Sequence, residues 1–232
     1  LWMSILRRTT KERSLLLLLR PSEKFATSSI EDNLRAVAPA SGVDPRRLIF
    51  ADRAPKHEHL ARHVAGDLFL DTFFYGAHST ATDALRGGLP VLTCPGDAFA
   101  RRVGVSLLEN MTPKAHDHGT DVGNASQGGE TGRNMQQMLL THSFREFEDL
   151  AVRLAKGHAA RQRAEQESRV GCSPLSKIQS HLERGLEDPD QGFRLFDTHG
   201  FTVSMERAYA LMWEVYTADR RTPRAIQRPD VA

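Results

Sequence analysis

Four short apolar runs alternate with stretches of helical character through the N-terminal half of the chain, and this alternation restricts the fold more than any other feature. The runs are residues 15–19, Leu48-Ile49-Phe50, Leu68-Phe69-Leu70 and Pro90-Val91-Leu92-Thr93. Between them, residues 29–38 carry Ile30, Leu34 and Val37 at helical spacing, and residues 58–65 and 80–86 are further helical segments. Short strands separated by single helices pair in parallel through right-handed crossovers, which is the doubly wound α/β arrangement. The run at 15–19 is apolar at every position and ends at Arg20-Pro21, so it predicts a strand covered on both faces. Ahead of it, Trp2, Ile5 and Leu6 mark residues 2–8 as the end of a helix.

The C-terminal half has a different texture. A helix is predicted over 98–108 and an amphipathic one over 143–167, with a polar connection at 185–191. Residues 204–218 predict a strong helix whose stripe of Met205, Tyr209, Met212, Trp213 and Tyr216 reads as a packing face. Between the halves, residues 110–132 hold five glycines and little that is apolar beyond Met111 and Val122. That composition predicts a disordered polar insertion reaching to residue 138.

Charge and cysteine usage remove several function classes. Lys and Arg total 31 against 29 acidic residues, a net charge of +2, which gives no electrostatic basis for binding nucleic acid. No apolar run approaches the ~20 residues of a bilayer span, so no membrane is expected as a partner. Cys94 and Cys172 have neither metal-knuckle nor disulfide-framework spacing, which favours a reducing compartment. The first residue is Leu1, so a longer reading frame is expected.

Two constellations could carry chemistry. Ala54-Pro55-Lys56-His57-Glu58-His59-Leu60-Ala61-Arg62-His63 follows the second apolar run, at the strand end where open parallel sheets bind ligands. Lys56 offers a point positive charge, while His59 and Arg62 share a helix face and could flank a flat base. His59 and His63 also have i, i+4 metal spacing, but no third ligand follows, and a solvated basic helix start explains the same residues. The second constellation is Gly76-Ala77-His78-Ser79-Thr80-Ala81-Thr82-Asp83, after the third run. Small residues leading into hydroxyls at a helix start suit a backbone-amide anion site. Thr80 with Asp83 is equally a capping box that needs no ligand. Thr93-Cys94-Pro95-Gly96-Asp97 reads as ordinary turn chemistry with an inert thiol. Neither a Ser-His-Asp set nor a carboxylate pair can be placed.

These segments follow one another in a recognisable order. The stretch from Ala54 to His63, then Leu68 to Thr72, His78-Ser79-Thr80 with Asp83-Ala84-Leu85, and Gly88 to Gly96 resemble the C-terminal part of the catalytic region of protein O-linked N-acetylglucosamine transferases and their SPINDLY-like relatives. Trp2 to Leu6, Leu195 to Thr198 and Met212-Trp213-Glu214 resemble neighbouring parts of the same region. The resemblance covers residues 1–109 and 139–232, and the insertion between them is foreign to the family pattern.

The resemblance implies the Rossmann-like C-terminal half of a GT-B glycosyltransferase, a parallel sheet flanked by helices with further helices at the C-terminal end. Residues 1–109 would form the UDP-binding region and 139–232 the helical remainder. It implies that Lys56 contacts ribose and diphosphate, and that His59 and Arg62 hold the uracil with the Ala54 backbone. His78, Ser79 and Thr80 would cradle the diphosphate, and Asp83 would bind the ribose hydroxyls. The implied donor is UDP-N-acetylglucosamine, the acceptors Ser and Thr of proteins, the location cytoplasmic or nucleocytoplasmic, and no cofactor or metal is called for. Acid/base catalysis would come from an N-terminal catalytic half, and acceptor selection from tetratricopeptide repeats, both upstream, so the given chain would be a fragment. A non-catalytic nucleotide-binding module and a SPINDLY-like protein O-fucosyltransferase are the alternatives. The insertion reading has a direct consequence: limited proteolysis should cut first between residues 110 and 132, and protection there would contradict it.

Overall fold

A computed structural model describes residues 1–20, 27–112, 137–166, 173–187 and 192–221. They form two units, Leu1–Leu195 and Phe196–Ala232. In the first unit, helix α1 (Trp2–Arg8) precedes strand β1 (Leu16–Leu19), α2 (Thr27–Ala40) and β2 (Leu48–Ala51). Helix α3 (Lys56–Arg62), β3 (Phe69–Leu70), α4 (Ser79–Arg86), β4 (Val91–Leu92) and α5 (Val103–Glu109) follow in the alternation that the apolar runs imply. The long α6 (Phe144–Gln166) and α7 (Pro174–Glu187) complete this unit. The second unit contains α8 (Thr198–Arg221). No described helix is long and apolar enough to cross a membrane.

Both strand pairs are parallel, as short crossover helices require. β1 pairs with β2 in the register Leu16 to Leu48 and Leu18 to Phe50, and β3 pairs with β4 with Phe69 opposite Val91. They form two separate two-stranded sheets. Parallel strands joined by helical crossovers are the repeating unit of Rossmann-like folds. Beyond β4, Thr93 bridges in parallel to Leu140, its N–H donating to the Leu139 carbonyl at 3.0 Å.

Helix α1 joins the two sheets. Its adjacent residues Ile5 and Leu6 enter different cores, Ile5 among Leu92, Cys94, Phe147 and Val152, and Leu6 among Ala38, Val43 and Leu48. Arg47 fastens the C-terminal end of α1 to β2. It is buried and donates to the carbonyls of Leu6 (2.6 Å), Thr9 (3.1 Å) and Ser14 (2.7 Å). A planar fork at a helix end meets orphan carbonyls there, and only arginine offers so many donors from one group. Burial pulls the Arg47 guanidinium below its ordinary value.

Turn chemistry sets where each strand begins. Gly42 (φ 72°) and Gly88 (φ 77°) adopt the left-handed conformation after α2 and α4. The following N–H then returns to the helix, Val43 to Ala38 O and Leu89 to Ala84 O, both at 2.9 Å. Helix α6 opens on a reciprocal cap, with Glu146 N–H donating to Ser143 Oγ and His142 N–H to the Glu146 carboxylate.

Several expectations are corrected. The strand predicted at 15–19 is covered on one face only: Leu15, Leu17 and Leu19 are exposed, as is Ile49 on the neighbouring strand. β1 pairs with β2 among the described residues, and strand geometry sends alternate residues to opposite faces, so Leu16 and Leu18 are the half-buried pair, with Leu16 packed against Leu48. In α2 the inward face is Leu34 and Ala38, while Ile30 and Val37 are exposed. The helix expected at 98–108 is a 3₁₀ turn, Phe99–Arg101, followed by α5. The expected polar connection at 185 is helical, because α7 runs to Glu187 and the Phe193 ring packs where a side chain on residue 185 would stand. The aromatic stripe of α8 is no buried face: Tyr209, Met212, Trp213 and Tyr216 are all exposed.

Most of the expected insertion, residues 113–136, lies outside the described residues. Its first residues are packed: Met111 is fully buried, and the Asn110 and Thr112 carbonyls accept from Leu195 and Arg194 N–H at 2.9 Å each. The Arg47 assembly carries a measurable consequence. Arg47→Met should lower stability by about 2–4 kcal/mol in urea unfolding, because the carbonyls of Leu6, Thr9 and Ser14 lose the guanidinium they share. Arg47→Lys should recover little of it, since an ammonium cannot span three separated carbonyls.

Candidate functional site

The loop after β3 is organised by one buried carboxylate. Asp71 ends the strand, and its Oδ1 accepts from the N–H of Thr72 (2.8 Å) and of Ala77 (2.7 Å). Oδ2 accepts from the Thr93 hydroxyl at 2.7 Å, tying this loop to the end of β4. Gly104 of α5 lies close enough that an added Cβ would stand 2.8 Å from both Asp71 Oδ2 and Thr93 Oγ1. The absence of a side chain there lets α5 approach the carboxylate.

This loop delivers the chain to α4 in a defined orientation. His78 is the N-cap of α4, and its side chain makes no capping bond. Ser79 and Thr80 are the first two helical residues and are exposed, so their amides stand at the positive end of the helix. The expected capping box is thereby excluded. Asp83 is the fifth residue of α4 instead of its third, too far along to return to an N-cap at His78. Its half-buried carboxylate has no hydrogen-bond partner among the described residues.

A second loop reaches the same place. The Ala100 carbonyl, in the 3₁₀ turn after β4, accepts from Gly76 N–H at 2.8 Å and lies 3.3 Å from His78 Nε2. This use of the Ala100 carbonyl explains why the helix expected at 98–108 is broken. The Tyr75 ring stacks on His78, and Phe99 meets its edge.

The first constellation is on α3, beyond the end of β2. Lys56 is the first helical residue and is exposed, with Pro55 as N-cap. His59 and Arg62 are half-buried and share a face, as their spacing implies. Arg62 is anchored, its Nη1 donating to the Asp52 carbonyl at 2.8 Å, which holds the helix against the loop carrying Ala54. The His59 and His63 rings meet edge to face, 5.0 Å apart, and His63 Nδ1 is 3.2 Å from the Leu60 carbonyl. Among the described residues no group of three or more His, Cys, Asp or Glu is placed to hold a metal ion.

Both constellations thus lie beyond the carboxyl ends of parallel strands, on different sheets. No hydrogen bond or ion pair joins them among the described residues. Cys94 is buried, and burial pushes its thiol up from the ordinary value, so it is no nucleophile at neutral pH. A cleft elsewhere, lined by Arg8, Arg145, Glu148 and Asp149 among others, contains none of these residues, and its Arg8 is already paired with both carboxylates.

Asp71, Tyr75 and Phe99 were not singled out by the sequence reading. An Asp at the end of a strand, followed by small residues, is the available signal for the first, because such a carboxylate accepts from nearby backbone. Asp71→Ala should cost about 2–4 kcal/mol in urea unfolding and speed amide exchange at Thr72 and Ala77. Unchanged exchange at Ala77 would remove Asp71 as the organiser.

Comparison with known proteins bears on the family and the fold. The model of glycosyl transferase family 41 matches residues 1–115. The chain is 30% identical over 223 residues to a probable UDP-N-acetylglucosamine–peptide N-acetylglucosaminyltransferase SEC of Arabidopsis thaliana, covering 95% of this chain and 18% of that protein. The Caenorhabditis elegans UDP-N-acetylglucosamine–peptide N-acetylglucosaminyltransferase is 36% identical over 108 residues, 47% of this chain and 9% of that one. A solved O-GlcNAc transferase of Thermobaculum terrenum superposes with a TM-score of 0.60 at 24% identity, over 91% of this chain and 32% of that chain, and it shares the GT-B fold. The chain spans less than a fifth of the length of these curated relatives. The chain belongs to glycosyl transferase family 41, among the O-GlcNAc transferase and SPINDLY-like proteins.

Proposed function

We propose that this chain forms the donor-binding wall of a protein O-GlcNAc transferase. The observation that carries the proposal is the start of α4, where the exposed residues Ser79 and Thr80 follow an N-cap without a side-chain capping bond, after the loop that leaves a parallel strand. Such a terminus accepts a diphosphate through its orphan N–H groups and the helix dipole. His78 and Lys56 supply further donors, His59 and Arg62 flank the uracil beside the Ala54 backbone, and the unpartnered Asp83 carboxylate takes the ribose hydroxyls.

In this reading the acceptor Ser or Thr oxygen attacks the anomeric carbon, with inversion. The bond from that carbon to the β-phosphate oxygen breaks, and its electron pair leaves with UDP. These residues stabilise the charge that develops on the diphosphate. The acceptor proton passes to a base that the reading places in an N-terminal catalytic half, and repeats elsewhere in such a protein select the acceptors. Cationic and amide donors meet the leaving-group charge, so no divalent metal is required. A reducing, cytoplasmic or nucleocytoplasmic setting fits the unpaired, buried Cys94.

Two substitutions test the assignment by calorimetry in the presence of EDTA. Lys56→Met should weaken UDP binding about ten- to a hundred-fold while the fold survives. Asp83→Asn should weaken UDP binding but leave pyrophosphate binding nearly unchanged, because only the ribose contact is lost. Tighter binding of GDP than of UDP would instead favour a fucosyl donor, and no nucleotide binding at all would overturn the reading.

A further inference from the structure

His78 is held from three directions by groups that no nucleotide contact requires. The Tyr75 ring lies nearly parallel to the imidazole, with centroids 4.8 Å apart and 24° between planes. Phe99 approaches the edge at 6.2 Å and 83°. On the third side, Nε2 sits 3.3 Å from the Ala100 carbonyl, where it donates as the protonated ring nitrogen. That donation leaves Nδ1 without a partner among the described residues, as the nitrogen free to meet an anion. Both flanking aromatics are otherwise badly placed for stability, Tyr75 being 65% and Phe99 82% exposed. Neither is packed as a core residue would be, and each makes a ring contact with His78.

The two rings arrive from different strand ends, Tyr75 on the loop after β3 and Phe99 on the 3₁₀ turn after β4. Both loops are anchored before they reach His78. The Thr72 hydroxyl donates to the Tyr75 carbonyl, and Gly76 N–H donates to the Ala100 carbonyl at 2.8 Å. We propose that Tyr75 and Phe99 are positioning residues, an aromatic clamp that fixes the His78 ring at the start of α4 so that Nδ1 faces the diphosphate of the donor. This rests on the donor-binding reading above. Without the clamp, the imidazole must be ordered when ligand binds, and affinity falls by the cost of that ordering.

The test separates the clamp from the donor reading. Ring-proton resonances of His78, assigned by their loss in His78→Gln, should be shifted upfield by the stacked Tyr75 ring in the ligand-free protein. They should return toward ordinary values in Tyr75→Leu and stay shifted in Tyr75→Phe. Pyrophosphate and UDP affinities should fall about threefold to tenfold in Tyr75→Leu and in Phe99→Leu, and be kept in Tyr75→Phe. In His78→Gln, the additional Tyr75→Leu change should cost nothing further, since the clamp acts only through the imidazole. His78 resonances that do not respond to Tyr75→Leu would overturn the clamp. Equal losses with and without His78 would make Tyr75 a direct contact and overturn its positioning role. If the wild-type chain binds neither pyrophosphate nor UDP while the resonances respond as described, the stack stands, but the donor reading and the clamp's part in it fall.

Discussion

The buried carboxylate of Asp71 is the interaction on which the site depends. Three donors converge on it, two backbone amides from the loop it begins and the Thr93 hydroxyl from the neighbouring strand end. A buried carboxylate is expensive unless its lone pairs are met, and here both oxygens accept. Because those donors come from two segments, satisfying the carboxylate fixes the loop before α4 relative to the end of β4. The start of α4, the place of His78 and the approach of α5 over Gly104 all follow from that one constraint.

The Ala100 carbonyl does a related job from the other side. A helix over 98–108 would use that oxygen in its own ladder. The chain instead turns through Phe99–Arg101, and the oxygen serves Gly76 and faces His78. Local helix propensity yields to a tertiary hydrogen bond, and the outcome is two strand-end loops locked together beside an uncapped helix start. Strand-end loops of parallel sheets are where this fold class binds ligands, and these two are stiffened by buried bonds before any ligand arrives.

Helix α1 plays the corresponding part for the scaffold. Among the described residues the β1-β2 and β3-β4 sheets share no strand pairing, yet both pack on α1, through Leu6 and Ile5. Neighbouring helical residues point about 100° apart, so one turn can serve two cores. Arg47 binds the end of that turn to β2. The sheet carrying Lys56, His59 and Arg62 and the sheet carrying His78 to Asp83 are thereby held within one unit.

The alternation of apolar runs with helical segments, read from sequence alone, determined the parallel α/β class and the order of the elements through β4. Residue identity in the two strand-end segments also located the candidate donor site, because small residues, hydroxyls and basic groups there have few structural uses in common. What periodicity could not decide was coverage. Leu15, Leu17 and Leu19 are as apolar as Leu16, but a strand paired on one edge and packed on one face leaves them exposed. The Tyr209 to Tyr216 stripe met the same limit, since a helical pattern records which residues share a face and not whether anything lies against it. Capping at α4 was decided by the fold as well: Thr80 and Asp83 have capping-box spacing, but the helix begins at Ser79 because Asp71 and Ala100 hold the preceding loop. Short-range pattern is written in the chain, whereas the bonds that choose between two readings of one pattern come from residues distant in sequence and exist only once the chain has folded.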